Sequence, residues 1–232
     1  MSLLHQYLND FMQLFFPEVC VTCGQKLITQ EEYICLNCLH DLPRTNFHNM
    51  SGNFVEQLFW GRVIIERATS YFFFRKGSKY QRLIHFLKYK GLKEVGESTG
   101  WHFGQEIKAG QVFNGVDLVV PVPLHSKRLR ERGYNQSEWI AKGIAGALEK
   151  PIDTENLRRV VFTNTQTRKT RFERWQNVDG IFNLCQPQKF EGKHILLVDD
   201  VVTTGATLEA CAVALQKAPG IKVSIATLGV AN

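Results

Sequence analysis

The sequence predicts an α/β fold in which a parallel sheet carries helices on both faces, with a small cysteine-rich module before it. From about residue 76 onward, apolar runs rich in β-branched residues alternate with segments of helical periodicity. Residues 46–75 are turn-rich and then aromatic, which is typical of a linker or of strands forming a hood. We therefore expect an N-terminal helix and cysteine module over 1–45, a hood or linker over 46–75 and the α/β domain over 76–232.

The composition is that of an ordinary globular protein. Hydrophobic residues make up 44% of the 232 residues and charged residues 22%, and no apolar stretch reaches the length of a membrane span. The first sixteen residues lack a basic leader and a small-residue cleavage site, so they indicate an amphipathic helix and not a signal peptide. Its apolar stripe consists of Leu4, Leu8, Phe11 and Phe15. We expect a cytoplasmic protein.

Charge is distributed unevenly along the chain. The formal net charge is +6, yet residues 1–45 carry a net −3, so the remainder carries +9. A basic body favours polyanionic partners, either a substrate that bears pyrophosphate or a nucleic acid.

The order of elements after residue 60 follows from periodicity and turn residues. Strands are expected within 62–75 and at 116–122, 160–163, 180–184, 195–198 and 223–230. Helices are expected at 78–90, 93–109, 137–149 and 206–217, with polar loops at 123–136 and 164–177. In a parallel sheet, loops that follow the strands meet at one edge, so the polar loops should converge on one site.

Four of the six cysteines form two CxxC pairs, Cys20 with Cys23 and Cys35 with Cys38. Two such pairs at this separation suit a tetrahedral zinc ion, and four thiolates leave no open coordination position, so the zinc would be structural. Two disulfides or a redox pair are the weaker alternatives for an intracellular chain. Cys211 lies in a predicted helix and is expected in the core.

The segment from Leu196 to Thr207 joins a buried strand, an acidic pair and a small-residue turn before a helix. Free amides and the helix dipole make such a turn an anion site. The carboxylates of Asp199 and Asp200 would repel a phosphate, so they suit the hydroxyl groups of a sugar that carries it. The turn that would anchor a phosphate consists of Thr203, Thr204, Gly205, Ala206 and Thr207. A phosphate beside a diol is a ribose 5-phosphate, and the segment resembles the signature of type I phosphoribosyltransferases, which bind phosphoribosyl pyrophosphate (PRPP). The structural alternative is a buried strand followed by a capped helix.

A second polar stretch follows the strand at 116–122. Its prolines rigidify a loop whose amides can hold pyrophosphate oxygens, and basic residues follow directly, Arg130 among them. The candidate pyrophosphate ligands are Pro123, Leu124, Lys127, Arg128 and Arg132. The alternative is a solvated basic turn. Asn135 and Ser137 are also suited to capping the next helix.

A third stretch, 163–182, has basic residues and no hydrophobic periodicity. We interpret it as a lid that closes over the leaving pyrophosphate, against the alternative of an ordinary surface loop. The lid residues are Arg168, Lys169, Arg171 and Arg174.

Together these motifs resemble the ComF family of competence-associated, phosphoribosyltransferase-like proteins over nearly the whole chain. The matching features are the cysteine pairs with their Pro17 entry, Lys88-Tyr89-x-Gly91, PVPLH with RxRGYNQ, Gln166 with Arg174-x2-Asn177-Val178, and VDDVVTTGAT. The resemblance implies a PRPP site behind a zinc ribbon. It also implies a cytoplasmic role with incoming single-stranded DNA, beside a DNA-uptake helicase.

The family is often described as a predicted amidophosphoribosyltransferase. This sequence has no cysteine next to Met1 and no glutamine-hydrolysing domain, so glutamine-dependent chemistry would need another protein.

Two functions follow from the sequence. The first is a phosphoribosyltransferase in which Mg²⁺ bridges the oxygens of PRPP, the acidic pair holds the ribose and pyrophosphate is released. The second is a non-catalytic accessory protein that binds single-stranded nucleic acid on the same fold. Aromatic residues among the basic segments permit the second function: Tyr134, Trp139, Phe172 and Trp175.

Overall fold

The computed structural model describes residues 17–161 and 180–231. The predicted N-terminal helix, with Leu4, Leu8, Phe11 and Phe15, lies outside these residues. So do the lid residues Arg168, Lys169, Arg171 and Arg174, and Phe172 and Trp175. The described strands are β1 (Ala68–Phe74), β2 (Leu118–Pro121), β3 (Leu157–Arg159), β4 (Phe182–Leu184), β5 (His194–Val202) and β6 (Lys222–Ala231).

Seven α-helices are described in the same two ranges. They are α1 (Leu36–His40), α2 (Phe54–Gln57), α3 (Gln81–Tyr89), α4 (Glu94–Ala109), α5 (Ser126–Arg132), α6 (Gln136–Leu148) and α7 (Ala206–Leu215). Short 3-10 turns occupy Phe47–Asn49 and Pro187–Phe190. None of the helices in the described residues combines the length and the apolar composition that crossing a bilayer requires.

The main sheet is parallel, with strand order β1-β6-β5-β2. Successive residues of a strand point to opposite faces, so Leu196 and Val198 pack in one apolar cluster and Ile195 and Leu197 in the other. Helices α3, α4 and α6 cover the first face, and α7 covers the second. The predicted fold class is therefore confirmed.

The two long helices of the first face approach each other very closely. A Cβ atom on Gly143 would lie 2.0 Å from the carbonyl oxygen of Glu97, and one on Gly100 would lie 2.3 Å from that of Ile140. Glycine at both positions allows the backbones of α4 and α6 to touch. This contact fixes the start of α6, which carries a residue of the candidate site.

Several elements differ from the sequence expectations. The strand expected within 62–75 is β1, which joins the main sheet with Ala68 aligned with Ile225 of β6. Where the chain divides into domains stays a prediction. The strand expected at 160–163 is β3, which lies earlier and pairs antiparallel with β4 in a separate two-stranded sheet. Both strands have only three residues, too few for periodicity to locate.

The loop expected over 123–136 contains α5. Its sequence has no apolar stripe, but both ends are stabilised locally. The Nδ1 atom of His125 accepts from the amide of Lys127 at 3.2 Å, and Gly133 ends the helix at φ = 84°.

The cysteine module packs directly on the sheet domain. Val21 and Leu42 share an apolar cluster with Phe72 of β1. The hydroxyl of Tyr80 donates a hydrogen bond of 3.0 Å to the carbonyl oxygen of Cys38. The module and the helical face are therefore joined by a common core.

Candidate functional site

The four cysteine sulfurs of the N-terminal module form a compact cluster. All four Sγ atoms lie within 4.8 Å of one another, and those of Cys23 and Cys35 are 3.7 Å apart. A tetrahedral zinc ion with bonds of about 2.3 Å separates its sulfurs by roughly 3.8 Å. The cysteines are free and not disulfide-bonded. The cluster therefore has the donors and the spacing that a four-thiolate zinc site needs, consistent with a zinc ribbon.

Backbone amides prepare this cluster for a cation. Burial raises the pKa of Cys20, but hydrogen bonds to its sulfur, including one of 3.3 Å from the amide of Cys35, outweigh it and lower the pKa to about 6. Burial raises the pKa of Cys38. A metal ion that binds the thiolates would offset the cost of burying their negative charge. Which ion it is stays a proposal.

The acidic pair lies inside β5, because the strand continues to Val202 and does not end before Asp199 as the sequence predicted. Oδ1 of Asp199 accepts hydrogen bonds from the hydroxyl of Ser137 at 2.7 Å and from the amide of Asp200 at 2.9 Å. Burial and the neighbouring Asp200 carboxylate nevertheless raise the pKa of Asp199 to about 7. The pair therefore holds two carboxylates whose charges repel, a state that a cation or a hydroxyl donor would stabilise.

The second carboxylate has a specific cationic partner. Nζ of Lys88, at the end of α3, lies 2.9 Å from Oδ2 of Asp200. Asp200 is only 5% exposed, so this ion pair is largely shielded from water. A helix from the first face of the sheet thus reaches the acidic pair.

The predicted phosphate loop follows the acidic pair at the N-terminus of α7. Gly205 has φ = 76°, and Thr203, Thr204, Ala206 and Thr207 are exposed. The 46–75 segment packs on this loop: Nη1 of Arg62 donates to the carbonyl oxygen of Thr204 at 2.8 Å, and the same guanidinium pairs with Glu209. The loop therefore presents exposed hydroxyls and the positive end of a ten-residue helix.

The basic residues of the second stretch occupy α5. Arg128 and Arg132, four residues apart, line a cavity of about 570 Å³ together with Lys88, Tyr89 and Tyr134. Arg132 lies 5.7 Å from the centre of the Tyr89 ring. Glu131 is the carboxylate of this lining, and Lys88, which also lines the cavity, links it to Asp200 through their ion pair.

The loop before α5, which the sequence predicts to bind pyrophosphate, offers fewer free backbone amide donors than expected. Pro123 carries no amide hydrogen, and the amide of Val122 already donates to Val198 at 2.8 Å. Of the residues proposed there, Leu124 keeps a backbone amide, and Pro123 and Leu124 are half-buried. Lys127 lies on α5, outside the lining of the cavity.

The structure adds residues that the sequence analysis does not assign to the site. Of the two predicted helix caps, Asn135 does cap α6, whereas the hydroxyl of Ser137 binds Asp199. Arg159 of β3 lies 5.5 Å from the centre of the Phe182 ring. Burial and the nearby positive charge of Arg128 lower its pKa. Neither residue belongs to a motif that would have revealed its place in the fold.

The comparisons with known proteins define the class of the domain. Residues 140–229 match the phosphoribosyl transferase domain, and this range covers most of α6, the acidic pair, the phosphate loop and most of β6. The sheet domain is therefore of the phosphoribosyltransferase type.

Individual proteins with similar sequences indicate which family within this class the chain resembles. The chain is 28% identical over 203 residues to competence protein F of Haemophilus influenzae, covering 87% of this chain and 80% of that protein. It is 28% identical over 194 residues to the DNA utilization protein YhgH of Escherichia coli, covering 82% and 80%. It is 35% identical over 112 residues to competence protein ComFC of Bacillus subtilis, of which it spans 43%. These similarities and the matched domain support an assignment of the chain to the ComF family.

Proposed function

We propose that this protein binds PRPP between the acidic pair and the phosphate loop, and transfers its phosphoribosyl group with release of pyrophosphate. The observation that carries the proposal is the continuous arrangement of Asp199, Asp200 and the loop 203–207 on the β5–α7 connection, within the matched domain. Groups that suit a ribose and groups that suit its 5-phosphate are held on one rigid strand and one helix end.

The phosphate loop would bind the 5-phosphate through its amides and threonine hydroxyls. Arg62 fixes the loop from outside by its bond to the carbonyl oxygen of Thr204. Gly205 allows the close backbone approach that a phosphate requires. Binding energy at this remote group would orient the anomeric carbon for reaction.

The acidic pair would hold the ribose hydroxyls and stabilise positive charge that develops at the anomeric carbon. Ser137 orients Asp199 through its hydrogen bond, and Lys88 neutralises the Asp200 carboxylate until a ligand displaces the ammonium group. Carboxylate oxygens are ligands that Mg²⁺ accepts, so Asp199 and Asp200 would hold such an ion, and the ion would neutralise charge on the pyrophosphate.

Departure of pyrophosphate would be assisted by cations on the cavity side. Arg128 and Arg132 line that cavity, and Lys88 connects it with the acidic pair. The predicted lid residues Arg168, Lys169, Arg171 and Arg174 would add to this charge. Fixed cations at a developing anion stabilise the transition state more than the ground state.

We further propose that the protein works in DNA uptake in the cytoplasm, with single-stranded DNA and a helicase as partners. Relatives named for competence and DNA utilization support this proposal. The second candidate function, a non-catalytic accessory protein that binds single-stranded DNA, is favoured by the formal charge of +6.

Calorimetric titration with PRPP and MgCl₂ tests the first proposal. Wild-type protein should bind PRPP, and a protein carrying both Asp199→Asn and Asp200→Asn should show no measurable binding while remaining folded. Lys193→Gln, an exposed change at the opposite edge of the sheet, is the control. Undiminished PRPP affinity in the folded double variant would refute the sugar site. PRPP binding without pyrophosphate release in the presence of DNA would favour the accessory function.

A further inference from the structure

The segment 75–93, which contains α3, has an unusual charge composition. It carries seven lysine and arginine side chains and not one carboxylate. These cations are Arg75, Lys76, Lys79, Arg82, Lys88, Lys90 and Lys93. A net charge of +7 on nineteen residues exceeds the +6 of the entire chain, so this is a concentrated positive surface.

The orientation of α3 directs most of this charge outward. Leu83, Ile84 and Leu87 are buried against the sheet domain. Arg82, His85 and Tyr89 follow one another at helical spacing on the opposite side, and all three are exposed. Because the apolar side of the helix is already packed in the core, it has no apolar face left for insertion into a membrane.

Much of the segment's charge lacks an anionic partner among the residues that the structure describes. Within residues 17–161 and 180–231, Lys79 pairs with Asp41 at 3.1 Å and Lys88 pairs with Asp200. The side chains of Arg75, Arg82 and Lys90 form no ion pair with any residue that the structure describes, and all three are exposed. These charges are available to an external polyanion.

The exposed stripe of α3 connects two cavities. One of about 650 Å³ lies beside the cysteine cluster and is lined by Thr22, Cys23, Lys79, Arg82 and His85, among others. The other is the cavity of about 570 Å³ beside the acidic pair. Between them the rings of His85 and Tyr89 are in contact, with centroids 5.1 Å apart, and Tyr89 is 68% exposed. The stripe and the cavities therefore form one path along the helix, aromatic and mainly basic, with Glu131 as the carboxylate in the lining of the second cavity.

We propose that this path binds single-stranded DNA and leads the strand from the zinc-ribbon side toward the acidic pair. Its phosphates would lie along the cations, and an unpaired base would stack on Tyr89. A duplex would keep its bases stacked inside and could not use that ring. The choice of DNA over RNA rests on the proposed role in DNA utilization, whereas the binding surface itself does not depend on PRPP chemistry.

The test compares two variants of the full chain with the same change in charge. The first carries Arg75→Glu, Arg82→Glu and Lys90→Glu on the path. The control carries Lys189→Glu, Lys193→Glu and Lys222→Glu, which are exposed and lie near the amino-terminal edge of the sheet. Both bind a fluorescein-labelled oligo(dT) in anisotropy titrations at several salt concentrations, with oligo(rU) and phosphatidylserine vesicles as parallel ligands.

We expect the path variant to bind oligo(dT) at least tenfold more weakly than the control. The magnitude of the slope of log affinity against log salt should fall by about two units. Each phosphate contact to a single strand contributes roughly 0.7 to this slope, and the variant removes three cations. Tyr89→Ala should also weaken binding without changing that slope. Equal oligo(dT) affinity in the path variant and the control would overturn the proposal.

The parallel ligands separate the remaining outcomes. A strong preference of the wild-type protein for oligo(rU) over oligo(dT) would also overturn the assignment to DNA. So would a path variant in which only vesicle binding is weakened. PRPP titrated into the path variant should bind as in wild type, since none of its three changes lies in the PRPP site. If wild type and both variants fail to bind PRPP while wild type binds oligo(dT), the proposed enzyme function is refuted and this inference stands.

Discussion

The ammonium group of Lys88 lies 2.9 Å from Oδ2 of Asp200, and this ion pair joins the end of α3 to the acidic pair of the candidate site. A carboxylate that is 5% exposed needs such a partner, because removing one member of a shielded pair leaves a poorly solvated charge. The basic helix and the acidic pair are therefore energetically coupled. A ligand that uses Asp200 must compete with Lys88.

The first prediction concerns this coupling. Lys88→Gln should lower the free energy of unfolding by about 1–3 kcal/mol, because it leaves Asp200 without its cation. Asp200→Asn in the same chain should restore part of the loss. Urea unfolding of the two single variants and the double variant forms a cycle. Strictly additive effects would show that the pair contributes nothing to stability.

The second prediction concerns Asp199 and pH. Its ordinary pKa of 3.8 is raised to about 7 by burial and by Asp200. Between these two pH values the folded protein holds a proton that the unfolded chain has released, so stability should fall as pH rises from about 4 to 7 and level off above 7. The slope should be at most ~1.4 kcal/mol per pH unit.

Asp199→Asn provides the comparison, because the amide cannot ionise. Urea unfolding from about pH 5 to 8.5 should show this component of the decline in wild type and lose it in the variant. Ser137→Ala should extend the decline to higher pH, since the hydroxyl that stabilises the carboxylate is gone. An identical pH profile in wild type and Asp199→Asn would contradict the assignment.

The third prediction concerns the cysteine cluster. Protein purified under reducing conditions should contain about one zinc ion per chain, and Cys38→Ser should lose it. The exposed Cys185→Ser is the matched control and should keep its zinc. Metal analysis and near-ultraviolet circular dichroism measure the outcome. Because Tyr80 bonds to Cys38, the loss should also perturb the adjoining helical face, while β5 and β6 stay folded. Disulfides between these cysteines in metal-free native protein would contradict the zinc site.

Sequence and structure agree where the site is local along the chain. The CxxC pairs and the run from Asp199 to Thr207 place their chemistry within a few residues, so their motifs could be recognised directly. Lys88, Ser137 and Arg62 reach the site only through packing between distant elements, which no spacing rule reveals. Hydrophobic periodicity also failed to predict α5, because this helix is stabilised by its caps and has no apolar stripe.

The fourth prediction concerns the turn at Gly205. Alanine there would have to adopt φ = 76°, and its Cβ would lie 3.0 Å from the Phe59 ring. Gly205→Ala should therefore destabilise the protein by about 1–3 kcal/mol and weaken PRPP binding. Gly192→Ala is the control, with φ = 65° and open space around the Cβ position. The difference between the two in thermal unfolding and PRPP titration isolates the contact with Phe59. Equal effects of the two changes on both measurements would show that the contact does not matter.

The last prediction separates the two faces of α5. Arg128 and Arg132 line the cavity beside Lys88, whereas Lys127 and Arg130 do not, so two double variants remove equal charge from different places. Arg128→Gln with Arg132→Gln should weaken binding of PRPP and pyrophosphate at least tenfold, because two cations near the departing group are lost. Lys127→Gln with Arg130→Gln should change both affinities less than threefold. The helix is short and exposed, so neither pair should unfold the protein, which circular dichroism would verify. If the two pairs weaken PRPP equally, the pyrophosphate is attracted by the general positive field of α5, and its placement in the cavity is wrong.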